Sequence, residues 1–262
     1  MKLSIITINY NDKIGLEKTI RSVISQTYKD FEYIIIDGGS SDGSLDIIKK
    51  YSNYINYWVS EPDKGIYNAM NKGIISAKGE YCNFMNSGDI FYDKNVLKDI
   101  FHCKAYNATV ITGNTILSGK KNILEKAPDK ITAAFLINGT LNHQSSFIKT
   151  AILKNDLYNE NIKLASDWEF FFKHLILENN EYKHVNRIVS LFELGGISTK
   201  YYELYTKEKK EILKKHIPLK ILEDYKYCSQ LIIKYRLCNT IGRKLITLSS
   251  ILTSFFFKKN YE

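Results

Sequence analysis

The segment Asn86-Ser87-Gly88-Asp89 closes the apolar stretch Tyr81-Cys82-Asn83-Phe84-Met85. It puts a carboxylate at the carboxyl end of what reads as a buried strand. In that position an acid can hold a divalent ion against a ligand's phosphates, and strand ends are where open α/β sheets bind ligands. Asp167, in Ala165-Ser166-Asp167-Trp168-Glu169-Phe170, is a second acid of interest. It suits the macrodipole of a helix start, with Ser166 as cap, and it equally suits a general base within ~2.6 to 3.2 Å of an acceptor hydroxyl. The separation of the two acids in sequence favours the base, because a two-substrate enzyme draws its metal site and its base from different halves of a fold.

Two further segments carry polar groups. Asp37-Gly38-Gly39-Ser40-Ser41-Asp42-Gly43-Ser44 follows a β-branched run, so Asp37 can reach a ribose or a base edge while the glycines let backbone approach a ligand. An ordinary capped turn uses the same residue types. Glu61 to Gly73 presents acid, base and amide groups within about two helical turns, more than a cap requires. Asp63 and Lys64 are its expected ligand contacts, Lys64 as a point cation for a diphosphate or base oxygen. Asn68, Asn71 and Lys72 fit a solvated helix face equally well. His143-Gln144 admits two readings, a lining of the acceptor cleft and a buried structural histidine. The remaining histidines lack metal-ligand spacing, so no zinc site is assigned.

These groups need a scaffold. Leu3 to Tyr10 is too continuously apolar for a one-sided strand and reads as a central one. Ile14, Leu16, Ile20, Val23 and Ile24 follow at helical spacing, and Phe31 to Ile36 reads as a second strand. Ser41-Asp42 offers an N-cap for a helix through Ile47, Ile48 and Tyr51. Tyr57-Trp58-Val59 is a third strand, Gly65 to Ala77 a third helix, and Tyr81 to Met85 the fourth strand. Alternation of this kind argues a parallel sheet with right-handed crossovers. After Asp89 the pattern loosens. A helix over Val96 to Phe101, strands over Thr109 to Asn114 and Lys121 to Glu125, a helix over Leu164 to Leu177 and a strand from Val185 to Leu194, closed by Gly195-Gly196, make a smaller mixed region.

The 262 residues suffice for one α/β domain with an appendage. Four cysteines without C-x-x-C spacing, and a start Met1-Lys2-Leu3-Ser4 unlike a signal peptide, lead us to expect a reducing, cytoplasmic setting. The formal charge of +9 sits in the tail. From Lys200 onward there are 14 Lys and Arg against 6 Asp and Glu, which leaves 23 against 22 before it. An anionic surface is the implied partner of that tail.

Taken in order, Thr7 to Asn11, Ser25-Gln26-Thr27-Tyr28, Asp37 to Ser44, Ala69-Met70-Asn71-Lys72-Gly73, Ala77-Lys78-Gly79-Glu80 and Asn86 to Asp89 resemble the family 2 glycosyltransferases. Ser166-Asp167-Trp168-Glu169 and Gly195-Gly196-Ile197-Ser198 extend the similarity to nearly residue 200. The resemblance implies a GT-A fold, an α/β architecture with a Rossmann-like, mostly parallel sheet and a smaller mixed acceptor-side region. Residues 1–199 would form the glycosyltransferase domain, with 1–90 the nucleotide-binding half and 91–199 the acceptor half, and residues 200–262 a basic helical extension.

The same resemblance implies inverting transfer of a sugar from a nucleoside-diphosphate donor, a UDP-sugar favoured, to a hydroxyl of a glycan or lipid-linked glycan, in bacterial surface polysaccharide synthesis. Asp89 would contact Mn²⁺ or Mg²⁺, Asp167 would deprotonate the acceptor, and Asn9, Tyr10, Asp37, Asp63, Lys64 and Asn86 would bind the nucleotide. Two positions depart from the family pattern: Gly38 stands where many relatives carry a second acid, and Ser87 where many carry the first acid of the D-x-D element.

In the tail, Ile241, Leu245, Leu248, Leu252 and Phe255 recur at helical spacing between basic residues. The stretch is shorter than the ~20 apolar residues of a membrane span. It reads as an interfacial helix over 241–259, held on the inner face of an anionic membrane by lysines worth roughly 1 kcal/mol each, or as a helix packed on the body. A nucleotidyltransferase and a non-catalytic nucleotide- or nucleic-acid-binding module are the competing functions. No recognised nucleic-acid motif supports the second.

Overall fold

All seven residues of strand β1 (Leu3–Asn9) are buried. The reason is its place in the sheet: it pairs in parallel with β2 (Phe31–Asp37) on one side and with β4 (Tyr81–Phe84) on the other. β3 (Tyr57–Ser60) continues the parallel set beyond β2. A strand covered by crossover helices on both faces needs a continuous apolar run, not an alternating one. The register sets Asn9 beside Asp37, and Asp37 beside Ser60, so three strand ends open at the same level.

The computed structural model describes residues 1–119, 121–193 and 201–232. Helix α1 (Lys13–Ile24) begins where the Asp12 carboxylate accepts the Gly15 N–H at 3.0 Å, an N-cap bond of the usual kind. Its inner face is Leu16, Thr19, Ile20 and Val23. Ile14 is 84% exposed, although it falls in the apolar periodicity. In α2 (Ser44–Lys50) the cap position is Gly43, and Asp42 serves the helix start by accepting from the Ser44 N–H at 3.0 Å. α3 (Ile66–Ser76) lies against β1 and β2. Ile5, Leu16, Ile20, Tyr33, Ile35 and Ile48 belong to one core cluster, each aliphatic member contributing about 1.5–3 kcal/mol by burial.

The second half extends the same sheet. β5 (Ile90–Phe91), α4 (Val96–Phe101), β6 (Val110–Ser118), β7 (Ile123–Glu125), α5 (Ala133–Asn138), β8 (Ser146–Lys149), α6 (Thr150–Asn155), α7 (Ser166–Phe172) and β9 (Tyr182–Glu193) follow in order. β8 runs antiparallel to both β4 and β6, β9 runs parallel to β6, and β5 caps β9 antiparallel. The strand order is β3-β2-β1-β4-β8-β6-β9-β5, with β7 paired to β6. The fold is therefore α/β with a mixed sheet, parallel through its first four strands.

The helix expected from Leu164 to Leu177 starts two residues later and reaches Leu177 with a change of pitch. It starts at Ser166, whose hydroxyl accepts from the Asn159 N–H at 2.7 Å and so caps nothing. After Phe172 it widens into a π-turn, Lys173–Leu177. Trp168 is fully buried and stacks on Phe172 with ring centroids 5.1 Å apart.

The chain divides into two units, Met1–Lys209 and Lys210–Glu262. Helix α8 (Tyr202–His216) crosses that division, and residues 219–232 form a further helix in the second unit. Among the described residues no helix is long and apolar enough to cross a membrane. Gly195-Gly196-Ile197-Ser198 and the amphipathic stretch 241–259 lie outside the described residues.

Candidate active site

The turn after β4 is held from three sides. Its Asp89 N–H bonds to the Asn86 carbonyl at 2.9 Å, and Gly88 takes a φ of +94°, a backbone state that side chains beyond glycine rarely adopt. Thr19, buried on α1, donates its hydroxyl to the Asp89 carbonyl at 2.7 Å and accepts the Gly88 N–H at 3.0 Å. The Ser87 hydroxyl donates to Asn9 Oδ1 at 2.8 Å. The turn is thereby tied to β1 as well as to α1, and Asp89 is left 7% exposed at the strand end.

Asn9 passes the connection on. Its Nδ2 donates to Asp37 Oδ1 at 2.7 Å. Asp37 also accepts from the Ser40 hydroxyl at 2.6 Å, the Ser40 N–H at 2.9 Å and the Ser60 hydroxyl at 2.6 Å. Burial works to raise its pKa, but these four donors hold the carboxyl below its ordinary value. They also occupy the roughly four lone-pair sites a carboxylate offers, so Asp37 organises the loop around it. Gly38, the next residue, leaves a space that Asp63 fills: a Cβ there would run into Asp63 Oδ2 and lie 3.1 Å from Tyr10 Cδ2. Asp63 Oδ1 accepts the Gly65 N–H at 2.8 Å. Tyr10 is 67% exposed, and Lys64 is also exposed. Asn9, Tyr10, Asp37 and Asp63 thus gather at one set of strand ends, with Lys64 at the solvent side.

Asp167 lies near the start of α7. Its Oδ1 accepts the Tyr67 hydroxyl and the Trp168 N–H, each at 2.8 Å, and its Oδ2 lies 3.1 Å from His143 Nδ1. The other imidazole nitrogen, Nε2, lies 3.2 Å from Asn86 Nδ2. One ring therefore bridges the helix that carries Asp167 and the turn that carries Asp89. Burial pushes Asp167 up and His143 down. The hydrogen bond between them and their opposite charges prevail, with Tyr67 and Trp168 aiding the carboxylate and Asp89 aiding the imidazole. The net result is an acid below its usual range and an imidazole above its own.

The Asn86 amide fits that charge state after a half-turn. With Nδ2 facing the ring, Asn86 Oδ1 is buried without a partner. Turning the amide puts Oδ1 on Nε2, where an imidazolium donates at both ends, to Asn86 and to Asp167. Chemically, Asp167 is an anionic carboxylate, 16% exposed, with capacity left at Oδ2 for one more hydrogen bond.

Among the described residues no three His, Cys, Asp or Glu side chains cluster as a preformed metal cage. A Mg²⁺-like ion bound through substrate phosphates needs only one or two protein carboxylates and otherwise hard oxygens. Asp89, in the turn after β4, supplies the carboxylate of that donor set, with phosphate and water oxygens as the remainder.

Several participants were not singled out in the sequence as ligands or catalysts. Tyr67, Ser40, Ser60, Ser87 and Thr19 are residue types that any α/β turn contains, and their roles depend on register. His143, Asp167 and Asn86 were each visible as candidates, but the contacts that join them were not.

Residues 4–175 match the family model described as glycosyl transferase family 2, more than half of the chain. A glycosyltransferase of Mycobacterium tuberculosis is 32% identical over 177 residues, which cover 65% of this chain and 68% of that one. The poly(ribitol-phosphate) β-N-acetylglucosaminyltransferase TarP of Staphylococcus aureus is 28% identical over 194 residues, 69% of this chain and 59% of TarP. The crystal structure of S. aureus TarS 1–349 in complex with UDP-GlcNAc superposes with a TM-score of 0.64 at 20% identity, covering 81% of this chain and 70% of that one.

Proposed function

The chain belongs to glycosyl transferase family 2, and we propose that it transfers a sugar, with inversion, from a nucleoside-diphosphate donor to a hydroxyl of a glycan or lipid-linked glycan in bacterial surface-polymer synthesis. The observation that carries this reading is Asp167, a partly exposed carboxylate with spare acceptor capacity at Oδ2, joined through His143 to the turn of Asp89. The similarity to TarP, named for transfer of N-acetylglucosamine to poly(ribitol-phosphate), supports a polymeric acceptor, and the fold match to a UDP-GlcNAc complex supports a UDP-sugar donor.

Asp167 Oδ2 takes the proton of the acceptor hydroxyl as its oxygen bonds to the anomeric carbon on the face opposite the departing diphosphate. One displacement inverts that carbon, and no covalent sugar–enzyme bond forms. Tyr67 and the Trp168 N–H keep Oδ1 occupied, which directs the proton to Oδ2. His143 keeps the carboxylate ionised and fixes its plane. On the donor side, Asp63 Oδ2 occupies the space above Gly38 beside the Tyr10 ring, and there it accepts an N–H of the base, as uracil provides. Asp89 would hold Mn²⁺ or Mg²⁺, which when bound neutralises charge on the leaving diphosphate.

A thermal-shift screen of UDP, GDP, CMP and dTDP, each with and without Mn²⁺, tests the donor half, since a ligand that binds the native state raises apparent stability. A metal-dependent shift with UDP is expected. No shift with any nucleotide would sink the donor assignment, and pyrophosphate release during turnover would replace glycosyl transfer with nucleotidyl transfer.

A further inference from the structure

Helix α8 (Tyr202–His216) lies wholly beyond the residues matched to the family, 4–175, yet it reaches the segment that presents Asp167. Glu208 is the contact. Its Oε1 accepts the Lys163 N–H at 2.9 Å, and its Oε2 accepts the Leu164 N–H at 2.9 Å and the Ala165 N–H at 3.1 Å. These three consecutive amides lead directly into Ser166-Asp167. The amides of Lys163 and Leu164 precede α7 and that of Ala165 belongs to its cap position, so none of the three has an acceptor within the helix and each needs a partner from elsewhere. A single carboxylate from α8 supplies it, through charge-assisted bonds roughly twice as strong as neutral ones.

The next residue of the same helix grips the other side of Asp167. Lys209 Nζ donates to the Gly139 carbonyl at 2.7 Å and to the Leu136 carbonyl at 3.2 Å. The same two carbonyls accept from Trp168 Nε1, at 3.1 and 2.8 Å, and Lys209 Nζ lies 4.6 Å from the centre of the Trp168 ring. Backbone before Asp167 and side chain after it are therefore both fastened by adjacent residues of α8.

We propose that Glu208 is a positioning residue for Asp167: by gathering the Lys163, Leu164 and Ala165 amides it fixes where the carboxylate stands relative to His143 and to an incoming hydroxyl. The consequence for transfer rests on Asp167 being the base, whereas the positioning does not. Misplacing a catalytic group by about 1 Å can cost on the order of 100-fold in rate, so a remote carboxylate of this kind matters to chemistry as well as to folding.

His143 reports the position of Asp167 without any substrate, because its raised titration depends on that carboxylate. The experiment is a pH titration of the imidazole resonances by NMR in the full chain, for the wild type, Glu208→Gln and Glu208→Ala. Gln keeps one acceptor oxygen, and Ala keeps none. The expected result is a fall in the His143 titration by roughly 1 pH unit in Glu208→Ala and by less in Glu208→Gln, with His174 and His184 unmoved. Calorimetric affinity for UDP with Mn²⁺ should stay at the wild-type value. An unchanged His143 titration in both variants would overturn the proposal, and so would a joint shift of all the histidines with loss of UDP affinity, the mark of general loosening. A wild type that binds no nucleotide would remove the donor reading and still leave the His143 shift to decide this one.

Discussion

His143 Nδ1 and Asp167 Oδ2 meet at 3.1 Å across 24 residues of sequence, and each holds the other in its charged form against the pull of burial. Replacing His143 by Gln keeps a hydrogen-bond donor and removes the charge, so the Asp167 carboxyl should rise. The acidic limb of a kcat/KM profile should then move to higher pH by roughly 1 unit. Stability carries the same signature. Asp167 contributes above its ordinary value of 3.8 and loses that as pH falls through its lowered pKa. His143 contributes below its ordinary 6.5 and loses that as pH rises through its raised one. The stability gap between wild type and His143→Gln should accordingly be widest between pH 3.8 and 6.5, as denaturant titrations at pH 5 and pH 8 will show.

Asp167→Asn separates the base from the fold. The amide oxygen can still accept from Tyr67 and Trp168, but it cannot take a proton at neutral pH. Turnover should fall by about 10²- to 10⁴-fold while UDP affinity in the presence of Mn²⁺ stays unchanged. Steady-state kinetics beside calorimetry makes the comparison, and wild-type turnover by the variant would end the assignment of Asp167 as base.

Thr19 holds the metal turn from beneath. Thr19→Val keeps the shape and removes a buried hydroxyl, leaving the Asp89 carbonyl and the Gly88 N–H short of a partner. The cost to folding should be about 1–3 kcal/mol. The Mn²⁺-dependent part of UDP binding should weaken more than the metal-free part, because it is Asp89 that loses its setting. Equal weakening of both would place the effect elsewhere.

At Gly38 the relevant fact is occupancy. A methyl group there would collide with Asp63 Oδ2, and Asp63 is half-exposed and able to swing away. Gly38→Ala should therefore change the melting temperature little and reduce nucleotide affinity. Since the reduction acts through Asp63, Gly38→Ala should add almost nothing in an Asp63→Ala background. Full additivity of the two losses would disconnect them.

Legibility in the sequence followed the reach of each interaction. The β1 run from Leu3 declared a doubly covered strand, and Asp89 and Asp167 stood out as acids at element ends, because those signals are local. That four donors saturate Asp37 could not be seen, since it depends on the register that sets Asn9, Asp37 and Ser60 side by side. Asp63 standing in the space above Gly38 is a contact between loops 25 positions apart. Glu208 was invisible for a stricter reason: its partners are backbone amides, which every sequence possesses and none advertises. The widening of the helix after Phe172 was hidden by apolar spacing that continues through Leu175.

Lys209 gives a prediction in the alkaline range. Burial brings its ammonium down to about 8 from 10.5, against the opposing pull of the Asp167 charge. A lowered lysine means that the unfolded chain binds more protons than the folded one between those values. Stability must therefore rise with pH across that window, and the penalty for the buried charge applies in full below it. Lys209→Met removes the penalty together with the bonds to Leu136 and Gly139, so its net effect at pH 7 mixes gain and loss. The pH dependence does not mix them. From pH 7 to pH 9 the wild type should gain on the order of 1 kcal/mol relative to Lys209→Met, measured as the difference between their denaturant unfolding free energies. A difference that stays flat over that range would mean that Lys209 titrates as a solvated lysine does, and that the carbonyls of Leu136 and Gly139 do not hold it in a buried site.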